Sequence, residues 1–290
     1  MFTGVITAIV TPFRRGALDE GSLRNLVEDQ IANGIDGLVP VGTTGESPTL
    51  SFDEHVRVIQ VVVEAAARRV PVIAGTGSNS TAEAIELSLA AKRAGADGLL
   101  QVTPYYNRPS QEGLYRHFKA IADACPLPTL LYNVPGRTAC DLLPETVARL
   151  AEVPGIVGVK EATGSALRAS QILARVPNRF VVLSGDDATA MPLFALGASG
   201  VVSVVSNVAP ALMAEMWDAA AAGRWDRARE LHYKLMPLSE GLFIEANPVP
   251  VKSALAMMGR IADELRPPLY TLGGPNRELV RGYLSAVGLL

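Results

Sequence analysis

The sequence predicts a (β/α)8 barrel (TIM barrel) that is followed by a C-terminal helical extension. Apolar segments of strand character alternate with segments of helical period along most of the chain. The length of 290 residues suits this fold, which often reaches about 250 residues as one domain. Hydrophobic residues make up 49% of the chain and charged residues only 19%, as expected when helices cover a parallel sheet. We therefore predict a catalytic barrel over residues 1–223 and a helical extension over residues 224–290.

Eight short apolar segments, rich in β-branched residues, are the predicted strands. They cover residues 5–10, 37–41, 70–74, 98–102, 129–132, 156–159, 180–183 and 200–204. Helical periodicity lies between them, as in Leu23, Leu26, Val27 and Ile31, which are spaced by three and four residues. Eight strand–helix repeats within about 220 residues is the number that closes a barrel.

Local signals mark where several helices begin and end. Ser51 with Glu54, and Ser80 with Glu83, have the spacing of a capping box, and Pro144 suits a first helical position. A weak repeat at 33–41, 94–102 and 196–204 places a glycine before each strand, where it ends the preceding helix in the left-handed conformation. A doubly wound sheet also alternates strands and helices, but the first turn here reads TPFRRG and lacks a GxGxxG phosphate motif.

The composition excludes several classes of function. With 26 basic and 29 acidic residues, the chain lacks the basic surface that binds nucleic acid or an anionic membrane. Cys125 and Cys140 are too few for a disulfide framework, and neither these cysteines nor the three scattered histidines suggest a metal site. The uncharged segment 188–214 is interrupted by proline and glycine, which predicts a helix, a strand and a helix, not a membrane span. We expect no metal and no cofactor. Because the N-terminus also lacks a signal peptide, we expect a cytoplasmic protein.

Polar residues follow five of the predicted strands. They are GTTGES at 42–47, TPYYN at 103–107, YNVPGRT at 132–138, KEATG at 160–164 and SGDD at 184–187. The carboxyl ends of barrel strands meet at one face, where barrel enzymes have their active sites. The sequence therefore predicts one site built from these segments.

Lys160 is the most informative of these residues. It is one of only five lysines, and it ends the apolar run GIVGVK, which directs it toward the barrel interior. An amine in an apolar environment loses its proton more readily, and the usual role of such a lysine is a Schiff base with a carbonyl group. The alternatives are a salt bridge to Glu161 or a side chain that extends past the strand end. Lys252 also follows an apolar run, NPVPV, but it is outside the barrel strands and is predicted to be structural.

Hydroxyl and guanidinium groups near Lys160 complete the predicted chemistry. Imine formation needs protons moved on and off the intermediate, and the phenol of Tyr132, on the adjacent strand, is suited to this. Thr43 and Tyr106 are candidates for passing the proton outward. Arg137 can bind a carboxylate through two parallel hydrogen bonds, and the glycines of GTTGES allow backbone N–H groups to approach a second carboxylate.

Together the segments GTTGES, TPYYNRPSQEG, YNVPGRT and GVKEAT resemble the dihydrodipicolinate synthase family, which belongs to the pyruvate-dependent class I aldolases. The resemblance covers essentially the whole chain. It implies a lyase that condenses pyruvate with L-aspartate-4-semialdehyde to give 4-hydroxy-tetrahydrodipicolinate, the first committed step of the diaminopimelate route to lysine. It also implies a homotetramer arranged as a dimer of dimers.

The resemblance assigns roles to individual residues. Lys160 matches the Schiff-base lysine, Tyr132 the proton donor and acceptor, and Thr43 and Tyr106 the proton relay, with the tyrosine contributed by a neighbouring subunit. The residues that match substrate contacts are Thr44, Gly185 and the Val202 backbone for pyruvate, and Arg137 for the carboxylate of the semialdehyde.

Many bacterial members of the family are inhibited by L-lysine at the dimer interface. The matching positions are Ser47, Pro48, Leu50, Phe52, His55, Asn79, Glu83 and Tyr105. Phe52 replaces a frequent histidine and Pro48 a frequent alanine. We therefore predict inhibition that is present but weakened.

Two other functions remain open at this point. One is another pyruvate aldolase of the superfamily, which cleaves N-acetylneuraminate or a keto-deoxy sugar acid. The other is a non-catalytic barrel that binds a metabolite and regulates a partner. Arg137 and the TPYYNRP segment favour the synthase over the sugar-acid lyase.

Overall fold

Eight parallel strands form the centre of the molecule. The computed structural model describes residues 2–290. The strands are β1 (Gly4–Ala8), β2 (Gly37–Val39), β3 (Ile73–Gly75), β4 (Gly98–Val102), β5 (Thr129–Asn133), β6 (Ile156–Glu161), β7 (Val181–Ser184) and β8 (Gly200–Ser203). Every predicted strand is present, with ends that differ from the prediction by no more than three residues.

The strands close into the predicted barrel. Hydrogen-bonded neighbours follow the order β2-β1-β8-β7-β6-β5-β4-β3. The gap between β2 and β3 is closed by a parallel bridge between Leu38 and Val72. Two backbone hydrogen bonds reinforce this closure, from Leu38 N to Pro71 O at 3.0 Å and from Gly75 N to Pro40 O at 3.0 Å.

Helices surround the barrel and continue beyond it. They are α1 (Glu20–Ala32), α2 (Phe52–Ala66), α3 (Thr81–Arg93), α4 (Gln111–Ala124), α5 (Pro135–Thr138), α6 (Pro144–Leu150), α7 (Ala166–Leu173), α8 (Ala190–Ala195), α9 (Pro210–Ala221), α10 (Trp225–Gly241), α11 (Val249–Met257) and α12 (Gly274–Ala286). A short antiparallel hairpin pairs Phe13–Arg14 with Ala17–Leu18. The last three helices form the predicted extension, and buried residues on α10, α11 and α12 share a core with the helices around the barrel.

The local sequence signals have clear structural counterparts. The repeat glycines Gly34, Gly95 and Gly197 have φ values of 82°, 92° and 101°, the left-handed conformation that ends a helix at low steric cost. Pro144 begins α6 as predicted. The uncharged segment 188–214 forms α8, β8 and α9, and no helix in the described part of the chain is long and apolar enough to cross a membrane.

The two predicted capping boxes differ in the structure. The box at Ser51 and Glu54 is complete, with both reciprocal hydrogen bonds present. At α3 the Ser80 side chain accepts from Glu83 N, but the Glu83 carboxylate accepts from the Ser78 hydroxyl at 2.6 Å and does not return to Ser80. The serine at 78 competes for the carboxylate, so only half of the second box forms.

The barrel interior is packed with apolar side chains at its amino-terminal end. Ile6, Ile73 and Leu130 point inward, and Phe2 lies close enough to β4 that a Cβ at Gly98 would come within 2.5 Å of its ring. This plug leaves the carboxyl-terminal end of the barrel as the open end, where the polar strand-end residues lie.

Candidate active site

Lys160 and Tyr132 lie side by side on neighbouring strands. They are register partners in the parallel pairing of β5 with β6. Parallel pairing puts partner side chains on the same face of the sheet, and the Lys160 Nζ lies 4.2 Å from the centroid of the Tyr132 ring. Both side chains are buried, each with 6% of its surface exposed. The predicted pairing of these two residues is therefore present in the structure.

The Lys160 amine has no carboxylate partner, which decides against the salt-bridge alternative. Glu161 is on the opposite face of β6, where one carboxylate oxygen accepts from Asn133 Nδ2 at 3.1 Å and the other from Thr163 N at 2.7 Å. Within residues 2–290, no ion pair includes Lys160. The amine lies instead on an aromatic face, in an apolar setting.

A polar network on the outer side of β5 and β6 holds these strand ends together. Asn133 Nδ2 also donates to Asp141 Oδ1 at 3.0 Å. Asp141 in turn forms a bidentate ion pair with Arg168, at 2.7 and 2.8 Å. The Arg168 guanidinium lowers the pKa of Asp141 below its usual value. Asn133 and Glu161 come directly after the Tyr132–Lys160 pair, so the network stabilises the register on which that pair depends.

Gly185 lies directly against the side chain of Lys160. A Cβ at this position would lie 3.1 Å from both Cγ and Cε of Lys160 and 2.6 Å from the Cβ of Ala162. Any side chain here would displace the lysine. Val202 on β8 is buried in the same barrel interior as Tyr132, so of the three predicted pyruvate contacts Gly185 lies against Lys160 and Val202 shares a buried cluster with Tyr132.

A cavity of about 460 Å³ opens at the carboxyl ends of the strands. Tyr132 lines it together with Thr43 and Arg137, and apolar walls come from Leu100, Val102 and Val134. Lys160 is not one of the lining residues. Its amine contacts the ring of Tyr132, and Tyr132 lines the cavity. A mostly apolar cavity with a few convergent polar groups is typical of a small-molecule site.

Residues 42–47 form a compact turn at the edge of this cavity. Thr43 is half-buried and faces the cavity, whereas Thr44 is buried. The Thr44 hydroxyl accepts a hydrogen bond from Asn247 Nδ2 at 2.9 Å, and the Asn247 carbonyl accepts a long one from Arg137 Nη2 at 3.5 Å. Asn247 was not predicted. Its only sequence signal is its place in the proline-rich NPVPVK segment, so sequence reasoning missed its link between Thr44 and Arg137.

Tyr106 is separated from the other predicted catalytic residues. Its side chain is 90% exposed and does not line the cavity, and its φ is +69°. Its neighbour Tyr105 does line the cavity. In this single chain the predicted relay therefore contains Tyr132 and Thr43, and Tyr106 points away from them.

The residues predicted to bind L-lysine line the same cavity as Thr43 and Tyr132. The members of this group that line it are Ser47, Pro48, Leu50, Phe52, His55, Glu83 and Tyr105. Asn79 does not line it, and its backbone carbonyl accepts from Asn107 Nδ2 at 2.8 Å. The two predicted sites are thus parts of one continuous cavity in this chain.

His55 is a buried residue in the lining of that part of the cavity. Its Nε2 lies 2.8 Å from Gly75 O and its Nδ1 lies 3.5 Å from the Ser47 hydroxyl. Since a carbonyl only accepts, Nε2 carries the proton and Nδ1 is an acceptor. Burial lowers the pKa of His55 below its usual value, which favours the neutral ring.

Lys252 contrasts with Lys160, because it is fully buried in an ion pair. Its Nζ contacts the Glu46 carboxylate and donates to Thr11 O at 2.9 Å. Glu46 also accepts from Arg266 N at 3.0 Å. Burial lowers the pKa of Lys252, while the Glu46 carboxylate acts in the opposite direction. The structural role predicted for Lys252 agrees with these contacts.

No cluster of His, Cys, Asp or Glu in residues 2–290 has three members placed to hold a metal ion. The available groups are therefore an amine, a phenol, hydroxyls and a guanidinium beside one cavity. These groups suit carbonyl chemistry that proceeds through a covalent imine.

Comparison with known proteins agrees with the fold. The family model described as "Dihydrodipicolinate synthetase family" matches residues 1–287. The 4-hydroxy-tetrahydrodipicolinate synthase of Geobacter sulfurreducens is 58% identical over 290 residues, which is all of both chains.

Solved structures give the same result. The chloride-inhibited dihydrodipicolinate synthase of Acinetobacter baumannii, complexed with pyruvate, is 49% identical with a TM-score of 0.98 over the full length of both chains. The enzyme of Cyanidioschyzon merolae with lysine bound is 42% identical with a TM-score of 0.97, over 100% of this chain and 99% of that one. The chain therefore belongs to the dihydrodipicolinate synthetase family.

Proposed function

We propose that this protein is a lyase that condenses pyruvate with L-aspartate-4-semialdehyde to give 4-hydroxy-tetrahydrodipicolinate, without a cofactor. In this proposal residues 1–223 form the catalytic barrel and residues 224–290 the helical extension. The observation that carries the proposal is the Lys160 amine. It is buried without a carboxylate and lies on the ring of Tyr132, which lines the cavity.

The first half of the reaction is assigned to Lys160 and Tyr132. The Lys160 amine attacks C2 of pyruvate, and Tyr132 delivers a proton to the departing oxygen, which leaves as water. Thr43, which lines the same cavity as Tyr132, passes protons outward. Loss of a proton from the pyruvate methyl group turns the imine into an enamine, the carbon nucleophile of the next step.

The second half uses the polar groups around the cavity. Thr44, Gly185 and the Val202 backbone hold the pyruvate carboxylate, and Arg137 at the cavity wall binds the carboxylate of the semialdehyde. The enamine attacks the aldehyde carbon. The amino group of the semialdehyde then attacks C2, which closes the ring and releases Lys160.

Borohydride trapping tests the covalent step directly. Incubation with pyruvate and borohydride should add one reduced pyruvyl group, and peptide mapping should locate it on Lys160. Lys252 is a matched control within the same chain, since it is also a buried lysine but is ion-paired. Absence of an adduct, or an adduct elsewhere, would refute the imine mechanism and favour a metabolite sensor.

Turnover distinguishes the synthase from its superfamily relatives. We expect product only when pyruvate and L-aspartate-4-semialdehyde are both present. Release of pyruvate from N-acetylneuraminate or a keto-deoxy sugar acid, with no activity toward the semialdehyde, would reassign the substrate.

We also propose that L-lysine binds in the part of the cavity lined by Ser47, Pro48, Leu50, Phe52, His55, Glu83 and Tyr105, with Asn79 nearby. The Glu83 carboxylate is suited to an ammonium group, and a related enzyme is described with lysine bound. Phe52 offers no polar side chain where family members frequently have a histidine, so the inhibition should be weak. Activity that stays flat up to millimolar lysine would contradict this assignment.

We also propose a homotetramer built as a dimer of dimers, and the exposed Tyr106 is consistent with contact between two copies. It joins the relay only if it enters the cavity of a second copy. Mixing Tyr106→Phe chains with Lys160→Ala chains tests this, because a mixed dimer contains one site with both native residues. Recovery of activity on mixing is expected, and its absence, with mixed dimers demonstrated, would place the tyrosine in its own site.

A further inference from the structure

Glu46, in the turn at residues 42–47, is hydrogen-bonded to the C-terminal extension. Both carboxylate oxygens of Glu46 are used, one by the Lys252 ammonium on α11 and one by the backbone N–H of Arg266. The partners are more than 200 residues away in sequence. A second route leads from Lys252 through Thr11, whose carbonyl accepts from Lys252 and whose hydroxyl donates to Gly45 O at 2.7 Å.

The backbone at Glu46 adopts a conformation that needs such support. Its φ is +55° and its ψ +35°, the left-handed region that residues other than glycine seldom occupy. Such conformations persist where the surroundings hold them. In this turn Glu46 N donates to Thr43 O at 3.2 Å, so the glutamate is hydrogen-bonded directly to the residue that lines the cavity.

We propose that Glu46 and Lys252 are positioning residues, whose buried ion pair places Thr43 and Thr44 correctly against the Lys160–Tyr132 pair. The proposal rests on the proposed function, because it assigns the pair's effect to pyruvate binding and proton transfer. Neither residue lines the cavity, so both act through the turn.

Stability alone does not explain the Glu46–Lys252 ion pair. Replacing a buried ion pair with apolar residues of similar volume is often neutral or stabilising. One side of the pair is apolar, since the ring of Phe13 lies 4.3 Å from Lys252 Nζ. Apolar residues would not supply the hydrogen bonds that orient this turn, in which Glu46 has the left-handed conformation.

The expected kinetic signature follows from the two threonines. If the turn is free to shift, Thr44 moves away from the pyruvate carboxylate, and the KM for pyruvate rises. Thr43 moves away from Tyr132 at the same time, and kcat falls. Small displacements of catalytic groups reduce rates on the order of tenfold to a hundredfold. The KM for the semialdehyde should change least, because Arg137 is carried by α5.

The test compares Lys252→Met, Glu46→Gln and the double variant Glu46→Gln/Lys252→Met. Lys252→Met leaves a buried carboxylate unpaired and should lower Tm, whereas the double variant has no unpaired charge and should regain most of that loss. We expect the double variant to keep a pyruvate KM raised, and a kcat lowered, on the order of tenfold. Kinetics measured well below each Tm refer only to folded enzyme.

Arg277→Met is the matched control. Arg277 pairs with Asp263 inside the extension, and neither residue forms a hydrogen bond or an ion pair with the 42–47 turn. Its loss should lower Tm without changing either KM or kcat. A change in pyruvate KM in this control would show that any weakening of the extension affects the site, and would overturn the specific role of the Glu46–Lys252 pair.

Wild-type kinetics in the double variant would likewise overturn the proposal and leave the pair a purely structural role. The result is separable from the proposed function by trapping with pyruvate and borohydride. If the wild-type protein forms no adduct on Lys160, the proposed function fails. If it forms the adduct and the double variant matches it at every pyruvate concentration, only the positioning role fails.

Discussion

Two buried lysines, Lys160 and Lys252, lie in regions of opposite character. Lys160 ends a barrel strand, has an aromatic ring beside it and has no acidic partner. Lys252 lies on α11 and is held by Glu46 and a backbone carbonyl. Burial is therefore common to both, and the difference is whether a carboxylate lies against the nitrogen. Glu46 and the Thr11 carbonyl occupy the nitrogen of Lys252, whereas the nitrogen of Lys160 has no carboxylate partner within residues 2–290 and lies on the ring of Tyr132 beside the cavity.

The strongest test of this contrast replaces each lysine with methionine. Lys160→Met should abolish imine trapping and turnover, yet change Tm little or raise it, because no ion pair is broken. Lys252→Met should retain trapping but lower stability by about 3–5 kcal/mol, the usual penalty for leaving a buried charge unpaired. Denaturant unfolding and mass spectrometry measure the two effects. Equal losses of stability would remove the distinction between the two sites.

A second, smaller effect is expected from the ring beside Lys160. Tyr132→Phe keeps the aromatic face against the amine and removes only the hydroxyl, so the fold should be unaffected. Turnover should fall by roughly 10²–10³, the range for a lost general acid or base. Single-turnover imine formation is the direct measurement. Wild-type rates in this variant would show that the proton is moved by another group.

A still smaller effect is expected at the cavity wall. Arg137 is exposed and makes one long hydrogen bond, to Asn247 O, so Arg137→Ala should leave stability unchanged. Loss of a charge-assisted carboxylate contact should raise the KM for the semialdehyde on the order of tenfold or more. Steady-state kinetics with each substrate varied provide the measurement. An effect confined to pyruvate would contradict the assignment.

A buried histidine far from both lysines shows what burial alone does to a basic group. His117 accepts or donates one hydrogen bond, with Thr81 at 2.9 Å, and its Nε2 has no partner within residues 2–290. Burial lowers the pKa of His117 to about 4 from 6.5. Because the unfolded chain binds this proton more readily, the native state loses stability as the pH falls from 6.5 toward 4, by about 3 kcal/mol in total.

The measurement is urea unfolding of the wild-type protein and His117→Leu across that pH range. The variant should show a flatter dependence of unfolding free energy on pH, with unchanged activity at neutral pH. His55 and His232 also have pKa values lowered by burial, but they are present in both proteins and do not affect the difference. Parallel curves would mean that His117 is not the group responsible.

The sequence was sufficient for the barrel because its signals are local. Apolar β-branched runs marked all eight strands, and Gly34, Gly95 and Gly197 occupy the left-handed positions that the repeat indicated. The Tyr132–Lys160 pairing also followed, since each residue occupies the end of an adjacent strand.

Contacts between distant segments were beyond sequence reasoning. Nothing near Glu46 indicates that its partner is Lys252, 206 residues away. Glu83 was assigned to Ser80 because the spacing matched, but Ser78 takes its carboxylate instead. The sequence patterns also did not show that the side chain of Tyr106 is 90% exposed and lies outside the cavity.

The contacts between residues 44–46 and residues 247–266 also have a consequence for synthesis. A ribosome makes the eight strands before it makes Asn247, Lys252 and Arg266, so the contacts that hold the 42–47 turn form only after residue 266 has been made. Shorter translation products also lack α12, which shares a buried core with the helices around the barrel, and they should be neither stably folded nor active.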